Sequence, residues 1–168
     1  SQAKFLPILR AALDRQGLAD LPIAASDEAA FSHALTTWRS FSPATKALVP
    51  RVNVHGYGPK DPRAPLRAAV SADGKKLWNS EHGDKVADGL DMARELTRDI
   101  RELAPVAWCY WQALDGGNDG GWGLLGADLM AKTVGRANPK FFVFAQFTRH
   151  IRPGMTILDT GDPDVVAA

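Results

Sequence analysis

Apolar residues along this 168-residue chain fall in short runs that alternate with amphipathic stretches. Phe5, Leu6, Leu9, Leu13 and Leu18 recur at helical spacing. Gly17 suits a helix stop, and Pro7 is compatible with a first turn only, so a helix is expected from about residue 6. Residues 21–25 form a brief apolar run that reads as a buried strand and ends in Ser26-Asp27-Glu28. Over residues 28–40 a helix is predicted, because Phe31, Leu35, Trp38 and then Phe41 are spaced by three or four; this puts Trp38 in the core. Ser42-Pro43 opens a second short helix, with serine as the cap and proline in the first turn. Residues 49–54 read as a strand, interrupted early by Pro50, that runs into His55-Gly56-Tyr57-Gly58-Pro59. A proline- and charge-rich loop comes next, then a short helical piece over residues 66–70. Leu77-Trp78 is a short strand leading into Asn79-Ser80-Glu81-His82-Gly83.

The strongest helical pattern covers residues 89–103. Leu90, Ala93, Leu96, Ile100 and Leu103 make an apolar face, and Asp91, Arg94, Glu95, Arg98, Asp99, Arg101 and Glu102 make a solvated one. Residues 106–112 then show almost no polar alternation, as expected of a strand buried on both faces of a parallel sheet. On that reading Cys109 is a buried, inert thiol. Residues 113–138 read as one long loop, with five glycines between Gly116 and Gly123 around Asn118, Asp119 and Trp122. Residues 140–152 close the pattern as a helix with Phe141, Phe144, Ala145 and Thr148 inward; Pro153-Gly154 ends it and residues 155–158 start a further strand. A helix, four strand-plus-helix repeats and a lone strand argue for an α/β fold with a parallel sheet and crossover helices.

The composition narrows the function. A formal charge of +1 supplies no electrostatic footprint for nucleic acid or an anionic membrane. No apolar run reaches about 18 residues, so no transmembrane helix is expected. The single cysteine cannot form an internal disulfide. Ser1-Gln2-Ala3-Lys4 is not a signal peptide, and both ends of the chain look cut rather than finished. Neither phosphate-binding glycine motif occurs after a strand, and no histidine or cysteine pair has metal-ligand spacing, so neither cofactor nor metal is expected.

Chemistry gathers at the predicted strand ends, where a parallel α/β fold turns side chains toward its ligand crevice. The four ends carry Asp27 with Glu28, His55 with Tyr57, Glu81, and Trp111 with Gln112. Carboxylates, an imidazole and aromatic faces on one rim suit a sugar site, since rings stack on pyranose C–H faces and carboxyls do acid and nucleophile work. Three of the four have a plainer reading: Asp27 as a helix cap, His55 as a structural histidine, Glu81 as a solvated carboxylate at a strand-to-loop junction.

Five segments together resemble glycoside hydrolase family thirty, and within it the fungal branch that cuts β-1,6-galactan. They are Ala25-Ser-Asp-Glu28, Val52-Asn-Val-His-Gly-Tyr57, Leu77-Trp-Asn-Ser-Glu-His-Gly-Asp84, Val106-Ala-Trp-Cys-Tyr-Trp-Gln112 and Phe144-Ala-Gln-Phe-Thr-Arg-His-Ile-Arg-Pro-Gly154. The resemblance implies the C-terminal half, strands five to eight, of a (β/α)8 barrel over residues 1–153, and the first strand of an appended β-sandwich over residues 154–168. It implies retaining hydrolysis of a polysaccharide or oligosaccharide, with Glu81 as nucleophile and Asp27, His55, Tyr57, Trp111 and Gln112 around the substrate. The family's acid/base glutamate lies in an Asn-Glu-Pro segment that does not occur here. That residue and the N-terminal half of the barrel are therefore expected upstream of Ser1, and the chain alone is expected to be inactive. Secretion is a further implication. Within the family, β-1,6-glucan, xylan and glucosylceramide are alternative substrates. Two other readings of the residues are a non-catalytic carbohydrate-binding α/β domain and a self-contained flavodoxin-like sheet whose polar strand ends are incidental.

Overall fold

In the computed structural model, which describes residues 2–58, 60–116 and 121–168, helices and short strands alternate along most of the chain. Helix α1 (Gln2–Arg15) is succeeded by β1 (Ala24–Glu28), α2 (Phe31–Ser40), α3 (Pro43–Ala47), β2 (Arg51–His55), α4 (Ala64–Ala72) and β3 (Lys76–His82). Then come α5 (Leu90–Arg98), a π-helical turn at Asp99–Leu103, β4 (Ala107–Tyr110), β5 (Leu114–Asp115), β6 (Leu125–Asp128), β7 (Thr133–Ala137) and α6 (Pro139–His150). Strands β1 to β4 lie in sequence order in one sheet, and β1 pairs with β2 in parallel. A second sheet has the order β5-β6-β7, with β5–β6 parallel and β6–β7 antiparallel. Ser1–Ser80 with Leu103–Trp108 make up one compact unit, and Glu81–Glu102 with Cys109–Ala168 a second.

The core of the first unit arises from two periodicities. Along β2, Val52 and Val54 are fully buried and alternate with partly exposed Arg51, Asn53 and His55. Along α2, Phe31, Ala34 and Trp38 form the buried stripe, which packs with Leu66 and Val70 of α4 and with Leu6, Ile23, Val49, Leu77 and Leu103. The indole N–H of Trp38, 1% exposed, donates to Asp73 Oδ2 at 2.8 Å. Asp73 also accepts from Lys46 Nζ at 2.6 Å, and this bond, with that of Trp38 behind it, holds its carboxyl below the usual range. Arg63 is fully buried with its guanidinium 4.7 Å from the Phe31 ring centroid. Ser42 caps α3 as predicted, accepting from Thr45 N–H at 3.2 Å, with Pro43 at the start of the helix.

In the second unit, Met92 and Leu96 are buried beneath α5, and α5 packs on α6. Arg101, in the π turn, donates from Nη1 to Thr160 Oγ1 and Val165 O, both at 2.9 Å. That guanidinium fastens the carboxyl-terminal segment, whose sheet pairing among the described residues is the bridge Leu158–Ala167.

Several expectations are corrected. Helix α1 begins at Gln2 and contains Pro7, so packing of Leu6 outweighs the hydrogen bond that proline removes. Residues 113–138 hold strands β5, β6 and β7 rather than a structureless loop; the stretch 117–120, which includes Asn118 and Asp119, lies outside the described residues. The buried charge Asp99 belongs to the same stripe as Met92 and Leu96, while Leu90 is 55% exposed, so the inward face of α5 is rotated from the predicted one. Strand β4 is the edge of its sheet, and Cys109 is exposed rather than inert in a core. On α6, Phe141 and Thr148 face outward and Lys140 is the fully buried residue. Residues 155–158 form no continuous strand.

Candidate functional site

In the first unit the polar strand-end residues meet around Asp27. The β1–β2 register runs Ala24↔Arg51, Ala25↔Val52, Ser26↔Asn53 and then Glu28↔Val54, which leaves Asp27 as the extra residue of a β-bulge. Its φ of 60° lies in the left-handed region, which aspartate tolerates better than most side chains. The helix-cap alternative is thereby overturned: Asp27 is inside β1, and α2 is preceded by Ala30 with no side-chain cap. Asp27 Oδ1 instead accepts from Ser80 Oγ at 2.6 Å and lies 3.4 Å from His55 Nε2. Ser80 Oγ also approaches Val54 O at 3.3 Å, so the hydroxyl bridges the bulge to the neighbouring strand. The His55 and Tyr57 rings meet edge to face with centroids 5.9 Å apart. Tyr57 N–H donates to Ala29 O at 3.2 Å, which anchors that loop beside β1. Asp27, His55 and Tyr57 thus form one cluster. The Asp27 side chain is 55% exposed, so its imidazole contact adds little stability and leaves the carboxylate presented to solvent. Glu28 turns elsewhere and accepts from Thr37 Oγ1 at 2.7 Å.

In the second unit Glu81 is the penultimate residue of β3. The next residue, His82, is buried, and its carbonyl accepts from Trp111 N–H at 2.7 Å. Trp111 is 48% exposed, an aromatic face held at the end of β4 by a backbone bond. Gly83 makes the approach of these segments possible. A Cβ there would collide with the carbonyl oxygen of Trp111 and stand 3.1 Å from the Trp122 ring. Gly83→Ala is therefore expected to lower stability by ~1–3 kcal/mol, because the obstacle is backbone and cannot swing aside; a melting temperature equal to wild type would refute this. Gln112 is gripped on both sides: its N–H donates to Trp122 O at 3.3 Å, and its carbonyl accepts from Leu124 N–H at 2.9 Å. Trp122 N–H in turn reaches Asp115 Oδ2 at 3.3 Å. Glu81, Trp111 and Gln112 therefore belong to one unit, with Trp122 beside them.

Beneath this lies a polar knot. Lys140 Nζ, fully buried, donates to Tyr110 OH at 2.6 Å, Asp84 O at 3.0 Å and Asp84 Oδ1 at 3.1 Å. Burial, reinforced by the Asp84 charge, pushes the Tyr110 phenol well above its ordinary value, so it stays protonated.

Sequence reasoning missed Ser80, Trp122 and Lys140. Ser80 and Trp122 carry no periodic signal. Lys140 carries an electrostatic clue instead: a cation in the first turn opposes the helix dipole, so a lysine directly after Asn138-Pro139 asks for a compensating partner. Among the described residues no group of His, Cys, Asp and Glu could hold a metal ion, and no helix is long and apolar enough to cross a membrane.

No family model matches the chain. An endo-β-1,6-galactanase from Hypocrea rufa is 43% identical over all of this chain, which spans 34% of that relative's length. Among solved structures, the fold is similar to the catalytic domain of family-thirty xylanase C from Talaromyces cellulolyticus, with TM-score 0.69 and 23% identity over 90% of this chain and 36% of that one. A family-thirty, subfamily-eight xylanase from Clostridium acetobutylicum gives TM-score 0.65 at 22% identity over 88% of this chain and 36% of its own. A conserved exported protein from Bacteroides fragilis gives 0.70 at 15%, over 93% and 41%. At such identities the structural likeness speaks for the fold, and the galactanase alignment speaks for descent. The chain is accordingly related in sequence to an endo-β-1,6-galactanase and similar in fold to the catalytic domains of family-thirty xylanases.

Proposed function

We propose that this chain is the carboxyl-terminal part of the catalytic barrel of a retaining, secreted glycoside hydrolase that cleaves β-1,6-linked galactan. One observation carries the reading: 43% identity, without a missing segment of this chain, to an endo-β-1,6-galactanase. In this reading β1 to β4 are strands five to eight of a (β/α)8 barrel, and residues 154–168 enter an appended β-sandwich.

Glu81 acts as the nucleophile. One of its carboxylate oxygens attacks the anomeric carbon, the glycosidic C–O bond breaks, and the leaving oxygen takes a proton from a second carboxylic acid. Water then releases the sugar from Glu81 with net retention. The two carboxyls must stand ~5–5.5 Å apart. The chain aligns with only 34% of the galactanase, and the proton donor is assigned to the remainder of the enzyme. Trp111 offers a stacking face; Gln112, His55, Tyr57 and Asp27 supply polar and aromatic contacts to sugar hydroxyls and rings.

The full-length enzyme is expected to hydrolyse β-1,6-galacto-oligosaccharides and to release first a β-configured reducing sugar, monitored by proton NMR before mutarotation. Release of the α-anomer first would overturn the retaining assignment. Binding without hydrolysis would favour a carbohydrate-binding protein instead.

A further inference from the structure

We propose that Lys140 is a positioning residue for the Glu81 strand end, acting through Asp84 and Tyr110; this rests on Glu81 being the nucleophile. Three segments distant in sequence meet at one amine. Asp84 lies three residues after Glu81, Tyr110 immediately precedes Trp111, and Lys140 opens α6. The amine is fully buried and makes its three bonds at 2.6, 3.0 and 3.1 Å. Two of the three go to Asp84, one to its carbonyl and one to its carboxylate, so both the backbone path and the side chain of that residue are fixed.

The backbone of Lys140 is fixed as well. Its N–H donates to Ala87 O at 3.1 Å. Gly89, with φ +82°, passes so close that a Cβ on it would stand 2.7 Å from Lys140 Cα. The lysine therefore cannot drift to follow its partners; they are drawn to it.

The consequence falls on the residues between. The segment from Glu81 to Asp84 is tied to the end of β4 at two points. One is His82 O to Trp111 N–H at 2.7 Å, and the other is Asp84 to Tyr110 through Lys140. Two successive ties define a lever of fixed length, so the carboxylate of Glu81 and the ring of Trp111 keep a set separation. Without the amine, the backbone bond and the long Tyr110 OH to Asp84 O contact at 3.5 Å would remain, and Asp84 and Tyr110 would lose the shared partner that holds them at short range. Displacing a reacting group by about 1 Å costs on the order of a hundredfold in rate.

A covalent label separates the positioning role from the nucleophile assignment on which it rests. A deoxyfluoro-β-galactoside with an activated leaving group traps the glycosyl-enzyme: the nucleophile's oxygen bonds to the anomeric carbon and the leaving group departs with its electron pair. In the full-length enzyme, mass spectrometry should find the label on the tryptic peptide over residues 77–85. A label on any other peptide overturns the Glu81 assignment, and the Lys140 proposal with it. With the label on that peptide, Lys140→Met should form it about 10- to 100-fold more slowly. The substrate KM should stay within about threefold, since substrate contacts are left in place. Labelling at the wild-type rate overturns the positioning role while leaving Glu81 intact. Should Lys140→Met fail to fold, Tyr110→Phe decides: it removes only the hydroxyl, with its bonds to Lys140 and Asp84, and slower labelling at an unchanged melting temperature supports the proposal, whereas an unchanged rate overturns it.

Discussion

Glu81→Gln in the full-length enzyme is expected to cut turnover of β-1,6-galacto-oligosaccharides by more than about a hundredfold, with no change in the folded structure. The amide has the shape of the carboxylate but neither its charge nor its nucleophilic oxygen, so the covalent step loses its attacking group. Position argues that the fold survives. Glu81 is partly exposed at the penultimate position of β3, and the strand's buried apolar anchor is Leu77, at the other end. The neighbouring ties use the His82 carbonyl and the Asp84 groups, neither of which the substitution touches. Initial rates and a melting curve on the same preparation make the check. Activity within tenfold of wild type at an unchanged melting temperature would remove Glu81 from the chemistry.

Trp38→Ala is expected to cost ~3–5 kcal/mol in the first unit, the usual penalty for emptying an aromatic core position. Trp38 is 1% exposed at the C-terminal end of the stripe that α2 turns inward, edge to face with Phe41 at 5.9 Å. Its N–H bond to Asp73 is lost as well, but Asp73 keeps Lys46 and remains partly in water, so cavity formation dominates. A domain is typically stable by ~5–15 kcal/mol, so a loss of this size consumes much of the margin. Trp38→Phe retains most of the ring and should cost clearly less. Equal losses for the two variants, measured as denaturant midpoints, would place the stabilisation in the Asp73 bond rather than in packing.

The parts of the fold that the sequence revealed are those where one face is buried and the other wet. Alternation along Arg51–His55 and the three- and four-residue steps of α2 are direct prints of that environment, and they delivered Trp38 to the core and His55 to the opposite face. The signal failed where burial is not one-sided. Strand β7 is exposed along nearly its whole length, so Thr133–Ala137 has no alternation to show. Strand β5 is only Leu114–Asp115, too short for any period. Asp99 was misplaced because a charge on the inward stripe of a helix looks, from composition, like the solvated face. The proximity of Asp27, His55 and Tyr57 follows from their places at neighbouring strand ends, which the sequence pattern marks. Ser80 carries no such mark, since its value lies in a hydrogen bond across 53 positions of chain, and the one local clue to Lys140 is electrostatic rather than periodic.

The bulge in β1 has a consequence for how this protein can change. Every other residue of that strand is committed to one side of the sheet, so replacing it disturbs either the helices or the opposite face. Asp27 is supernumerary: it has no register partner on β2 and is spared the alternation that governs its neighbours. Substitution by asparagine or glycine, which also accept its left-handed backbone, is a dial that can be turned without repainting the sheet. Deletion is another matter. Removing the spare residue would leave Ser26↔Asn53 and Glu28↔Val54 as a regular ladder, and would take away the left-handed turn that aims a carboxylate at Ser80 and His55.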